Sequence, residues 1–165
     1  MDCPSFFYNF HNFINVFSKL ISRPCGLFVQ ALDSAASSSV LDISPGMDKL
    51  FNRPMNVKEI IRVPMRTLDS VFNECDLSSL DLLKIDVQGY ELEVFKGGVE
   101  TLRRTHFVVS EVSFFEHYAK QPLFADIYQF LSYHGFEMRG TFCFIFDVQG
   151  RPLQCDVVFV NLAKL

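Results

Sequence analysis

Asp86 and Glu111 each sit at or near the end of an apolar run of strand length, Leu80 to Asp86 and Phe107 to Val112. When two such strands run parallel, their carboxyl ends border one crevice, where open α/β sheets hold their ligands. A carboxylate in that position can take the proton from a bound hydroxyl. Glu116, His117 and Tyr118 follow in a loop beyond the second run, and an imidazole titrates near working pH. Asp86, Glu111 and His117 are therefore the candidate catalytic residues. Two also have a plainer reading: Asp86 as the cap of the following helix and His117 as a solvated loop histidine. Lys84 and Glu91 could form a structural ion pair, and Gly89 could serve the turn alone. His11, His106 and His134 have no partner at a recognisable spacing and receive no role.

The elements around these residues follow from hydrophobic spacing. Thr67 supplies an N-cap, Asp69 sits in the first turn, and Leu68, Val71, Phe72 and Cys75 share one helical face. After the Gln88-Gly89 turn, Leu92, Phe95, Val99 and Leu102 repeat at helical spacing, with Gly97-Gly98 breaking the helix. Strand, helix and strand within about thirty residues form a βαβ unit, which should be parallel and right-handed. Pro122 is placed to open a helix with Phe124, Ile127, Tyr128 and Leu131 on one face, and Gly135 to close it. Phe136 to Phe146, a Gln149-Gly150 turn and Asp156 to Asn161 read as a hairpin.

Earlier in the chain, Leu27 to Leu32 reads as a short strand and Val57 to Val63, ending at Pro64, as an edge strand. Asp33 to Ser39 and Ser44-Pro45-Gly46 read as loop. Phe6, Phe10, Phe13, Phe17 and Leu20 recur at alternating steps of four and three, which predicts an amphipathic helix within residues 1–25. Asn9, His11, Asn12 and Asn15 interrupt that apolar run, so stable membrane insertion is not expected.

A chain of 165 residues has room for one domain with a real core. Hydrophobic residues make up 49% and charged ones 21%, which excludes disorder. The net charge of -4 is spread along the chain with no basic block, so nucleic acid is not an expected partner. Five scattered cysteines without metal-ligand spacing read as reduced thiols, which points to the cytoplasm and to no metal site.

Three passages carry a family resemblance: Val63-Pro64-Met65-Arg66-Thr67-Leu68-Asp69, then Leu82-Leu83-Lys84-Ile85-Asp86-Val87-Gln88-Gly89-Tyr90-Glu91, then Phe95-Lys96-Gly97-Gly98. Ser110-Glu111-Val112, Phe114 to Tyr118 and Pro152 to Asp156 follow in matching order. The chain resembles the FkbM-type S-adenosylmethionine-dependent methyltransferases over about Gly26 to Leu162. The resemblance implies a single, partial domain with an incomplete class I methyltransferase fold, Rossmann-like α/β. Its sheet would be mostly parallel, flanked by helices and ending in an antiparallel hairpin. The implied cofactor is S-adenosylmethionine, and the implied acceptor is a hydroxyl on a small molecule or glycan, such as a sugar or natural-product scaffold.

One departure bears on the cofactor. The family opens with a strand, a glycine-rich turn and a second strand ending in an acidic residue, and here no glycine precedes Gly26. No cofactor-binding residue is therefore named, and the alternative reading is a non-catalytic remnant or interaction module. Losing two strands would leave a gap of roughly 10 Å between Leu27–Leu32 and Leu80–Asp86. The expectation is that these two strands close up, or that the exposed edge pairs with a second copy as a homodimer.

Overall fold

A computed structural model describes residues 13–17, 26–32, 39–47, 56–75 and 77–165. Its centre is the strand the sequence marks most clearly, β4 (Leu80–Asp86), in which Leu80, Leu82, Leu83 and Ile85 are all buried. Burying a side chain of that size contributes about 1.5–3 kcal/mol. The strand forms because its backbone is paired on both edges, in parallel with β5 (Thr105–Ser113) on one side and with β1 (Phe13–Phe17) on the other.

The β1 pairing overturns two expectations. Phe13–Phe17 is a strand rather than part of an amphipathic helix; residues 1–12 and 18–25 of that expected helix lie outside the described residues. Its composition, Phe-Ile-Asn-Val-Phe, favours strand geometry, and β4 presents a row of backbone groups that must be paired. The neighbour of Leu83 on that side is Ile14, so neither an open gap nor Leu27–Leu32 borders β4. Instead β2 (Gly26–Leu32) pairs antiparallel with β3 (Val57–Pro64) in a separate two-stranded sheet.

The main sheet has the order β1-β4-β5-β7-β6, completed by the hairpin of β6 (Phe136–Phe146) and β7 (Pro152–Asn161). Its pairings are two parallel and two antiparallel, and the β2–β3 pair is antiparallel as well. The expected mostly parallel sheet is thus corrected: the described main sheet is evenly mixed, and over both described sheets antiparallel pairings outnumber parallel ones. Two hairpins account for the difference: one inserts β7 beside β5, the other stands apart from the main sheet.

The helices fall where the spacing places them. Helix α1 (Leu68–Glu74) is capped by Thr67, whose side chain accepts from the Ser70 amide at 3.2 Å. Gly97 and Gly98 split the next helical pattern into α2 (Glu91–Lys96) and α3 (Val99–Arg103). Asp69 caps the second piece, accepting from the Thr101 amide at 2.7 Å and the Thr101 hydroxyl at 2.6 Å. Helix α4 (Phe124–Tyr133) buries Ile127 and Leu131 and leaves Tyr128 exposed. Phe72, Phe95, Leu102, Val108, Val157 and Phe159 complete one core between these helices and the sheet. Among the described residues, no helix is long and apolar enough to cross a membrane.

Candidate functional site

The carboxyl ends of β4 and β5 bring Asp86 and Glu111 together through a side chain the sequence did not single out. Gln88 Nε2 donates to Asp86 Oδ1 at 2.8 Å and to Glu111 Oε2 at 3.1 Å. Gln154, at the start of β7, donates to the other Glu111 oxygen at 2.7 Å. Tyr118 donates its hydroxyl proton to Gln88 Oε1 at 3.1 Å.

The turn that aims Gln88 is built from unusual backbone. Gln88 has a φ of 53° and Gly89 a φ of 95°, both left-handed. For a residue bearing a side chain that conformation costs roughly 1 kcal/mol or more, so the surroundings must hold it. They do so from two directions. Glu91 Oε1 accepts from the Val87 and Gly89 amides, each at 3.1 Å, and Ser39 Oγ donates to the Gln88 carbonyl at 2.6 Å. A Cβ on Gly89 would meet Tyr118 at 3.1 Å, Gln121 at 3.2 Å and Leu41 at 3.3 Å, so the loops approach too closely for any side chain there.

Those loops are pinned to each other. Ser44 donates its amide to the His117 carbonyl at 2.9 Å, and Ala119 donates to the Asp42 carbonyl at 2.7 Å. Gln121 Oε1 accepts from the His117 and Tyr118 amides at 2.8 and 2.6 Å. His117 is therefore buried, not the solvated loop residue of the plainer reading. Its Nδ1 lies 3.4 Å from Ser113 Oγ, and burial lowers its pKa to about 4.

Charge at the site is crowded on one side. Desolvation raises the Glu111 pKa to about 8, and the neighbouring carboxylates Asp86, Glu91 and Asp156 push the same way. Glu91 is raised to about 7, again chiefly by burial. Lys84 answers this charge. Burial alone would lower its pKa, but Asp156, bonded at 3.0 Å, together with Asp86 and Glu111, raises it. The expected Lys84–Glu91 pair is thus replaced by Lys84–Asp156, because Glu91 turns back to the backbone amides of its own turn. Nor does Asp86 cap α2, whose N-cap is Tyr90 with no side-chain bond.

Sequence reading placed Asp86, Glu111 and the 116–118 loop at one end of the sheet, and missed Gln88, Gln154 and Ser39. Gln88 stood inside the quoted turn, and the non-glycine residue before Gly89 was the signal for it. Gln154 carries no local signal, since only the pairing of Ser113 with Gln154 and of Glu111 with Asp156 brings it near.

Taken together, the sheet and the carboxylates at its parallel-strand tips define an α/β domain with its candidate ligand site at that end. The chain belongs to the FkbM methyltransferase domain family, whose model matches residues 19–138, more than half of its length. It is also similar to a 2-O-methyltransferase, NoeI, of Sinorhizobium fredii (strain NBRC 101917 / NGR234), at 46% identity over 61 residues. That match spans 37% of this chain and 25% of the relative, so only a minor part of the relative's length is represented. No solved structure matches the chain.

The family implies S-adenosylmethionine, and the described residues fit it only in part. Carboxylates stand at the strand tips, but β1 ends at Phe17 and no glycine precedes Gly26. A turn over which backbone could closely approach the donor is thus not among the described residues.

Proposed function

We propose that this protein is an S-adenosylmethionine-dependent O-methyltransferase acting on a hydroxyl of a sugar or natural-product scaffold, with Asp86 and Glu111 handling the acceptor's proton. The observation that carries this reading is the amide bridge from Gln88 to both carboxylates at the ends of β4 and β5. Methyl transfer to a hydroxyl needs the acceptor oriented and its proton removed. Glu111, raised to about 8, has a proton affinity suited to that task near neutral pH. His117, held neutral down to about pH 4, is a weaker proton acceptor than Glu111. The 2-O-methyltransferase relative supports an oxygen acceptor.

A second reading is a non-catalytic interaction module. Incubation with methyl-labelled S-adenosylmethionine at millimolar concentration and a panel of saccharides and polyhydroxylated scaffolds separates the two. Label in a methyl ether supports the enzyme; no label on any acceptor at saturating donor supports the module.

A further inference from the structure

We infer that Gln88 is a positioning residue whose side-chain amide, held at its far end by the Tyr118 hydroxyl, couples Asp86 and Glu111 into one proton-handling unit. The inference rests on the reading of those carboxylates given above, and it assigns a task to a residue that neither composition nor family placement marks.

An amide's two ends differ little in shape, so its orientation is fixed by partners alone. Here all the partners agree. The two carboxylate oxygens, Asp86 Oδ1 and Glu111 Oε2, can only accept when ionised, and they face Nε2. The Tyr118 hydroxyl donates to Oε1 at the opposite end. A flipped amide would set its oxygen against the Asp86 carboxylate, and against Glu111 whenever that group is ionised; the Tyr118 hydroxyl, which can donate or accept, follows the orientation the carboxylates set. Tyr118 is itself seated by Gln121 on its backbone and by contact with the Gly89 position, so its hydroxyl is a fixed reference.

The backbone supports the same conclusion. A left-handed, non-glycine residue is retained where the surroundings over-determine it. The Ser39 hydroxyl holds the Gln88 carbonyl, and Glu91 holds the flanking amides of Val87 and Gly89. Ser39 and Tyr118, from segments distant in sequence, and Glu91 from the same turn thus converge on Gln88.

The coupling follows from electrostatics. Asp86, Glu91 and Asp156 all disfavour ionised Glu111, and Lys84 opposes them. The shared amide lets two carboxylates lie side by side, because each of its N–H groups serves one of them. Without it, Glu111 keeps its proton to higher pH and can no longer take one from an acceptor near neutrality.

The test reads the protein without donor or acceptor, by following the Glu111 side-chain carboxyl through an NMR pH titration. Gln88→Met removes the amide and keeps the length. Gln88→Gly removes it while relaxing the φ of 53°, which guards against a folding failure in the methionine variant. Tyr118→Phe keeps the ring and deletes the hydroxyl. The expected result is an upward shift of the Glu111 midpoint by about one pH unit or more in the Gln88 variants, smaller in Tyr118→Phe, with thermal melting still cooperative. A midpoint that stays put in folded Gln88→Met or Gln88→Gly overturns the inference. One that stays put only in Tyr118→Phe removes the tyrosine from it. Absence of methyl transfer to any acceptor would instead defeat the functional reading and leave the titration result intact.

Discussion

At the scale of single residues, the site among the described residues is held by one cation, Lys84, among four carboxylates, Asp86, Glu91, Glu111 and Asp156. Lys84 and Asp156 are 13% and 12% exposed, so their pair is nearly buried. Removing one member of such a pair leaves the other charge uncompensated, at roughly 3–5 kcal/mol. Lys84→Met is therefore expected to destabilise the protein by about that much, and also to raise Glu111 further, since Lys84 is the neighbour that lowers it. Urea unfolding measures the first effect. A loss below about 1 kcal/mol would place the pair in the class of exposed ion pairs. The partnership was not legible in the sequence, where Lys84 and Asp156 are 72 residues apart. Glu91, the nearer carboxylate, was the natural guess, and it is committed elsewhere because the Val87 and Gly89 amides would otherwise be buried without acceptors.

Among the elements, the turn from β4 to α2 carries most of the information. Gly89→Ala forces a side chain onto a left-handed residue and into Tyr118, Gln121 and Leu41. A destabilisation of about 1–3 kcal/mol is expected, read by thermal melting, and an unchanged melting temperature would show that the loops yield. The turn also sets a pH dependence. In the folded chain Glu91 and Glu111 keep their protons to about 7 and 8, while the unfolded chain loses them near the ordinary value of 4.5. The folded state therefore binds more protons above pH 4.5, and stability falls as pH rises through that window. For Glu91 the effect is at most about 3 kcal/mol. His117 acts in the opposite sense: its contribution is present above its ordinary 6.5 and is lost as pH falls toward 4. Two glutamates outweigh one histidine, so unfolding free energy should be larger near pH ~5 than near pH ~8. The reverse order in urea titrations at the two pH values would show that these carboxylates are better solvated than their burial indicates.

At the scale of the whole molecule, the strands bearing Asp86 and Glu111 were legible because an apolar run that stops at or near a carboxylate has one natural place in an α/β sheet. The split helix and the final hairpin were legible from Gly97-Gly98 and Gln149-Gly150. β1 was not. Phe13 and Phe17 are four apart, which suits a helix face, and only pairing against β4 decides for a strand. Among the described residues, that pairing puts β1 at one edge of the main sheet. Phe144, Ile145, Phe146 and Val148 are exposed near the hairpin tip and add an apolar patch at the other end of the strand order. Concentration-dependent association in light scattering is the expected consequence, and a monomer at every concentration would contradict it.

The whole-molecule view also bears on the donor. Calorimetry is expected to show weak binding of S-adenosylmethionine to this chain, since the described residues include no glycine-rich turn of the kind that admits a donor's close approach; micromolar affinity would mean that other residues grip it.

The central claim, that the Asp86–Glu111 pair handles the acceptor's proton, is tested most directly by methyl transfer at saturating donor for the unaltered protein and Asp86→Asn side by side. Asparagine keeps the size of the side chain and one acceptor for Gln88, so folding should persist. The account predicts a loss of about a hundredfold or more in turnover with little change in melting temperature. Equal turnover in the two proteins would contradict it.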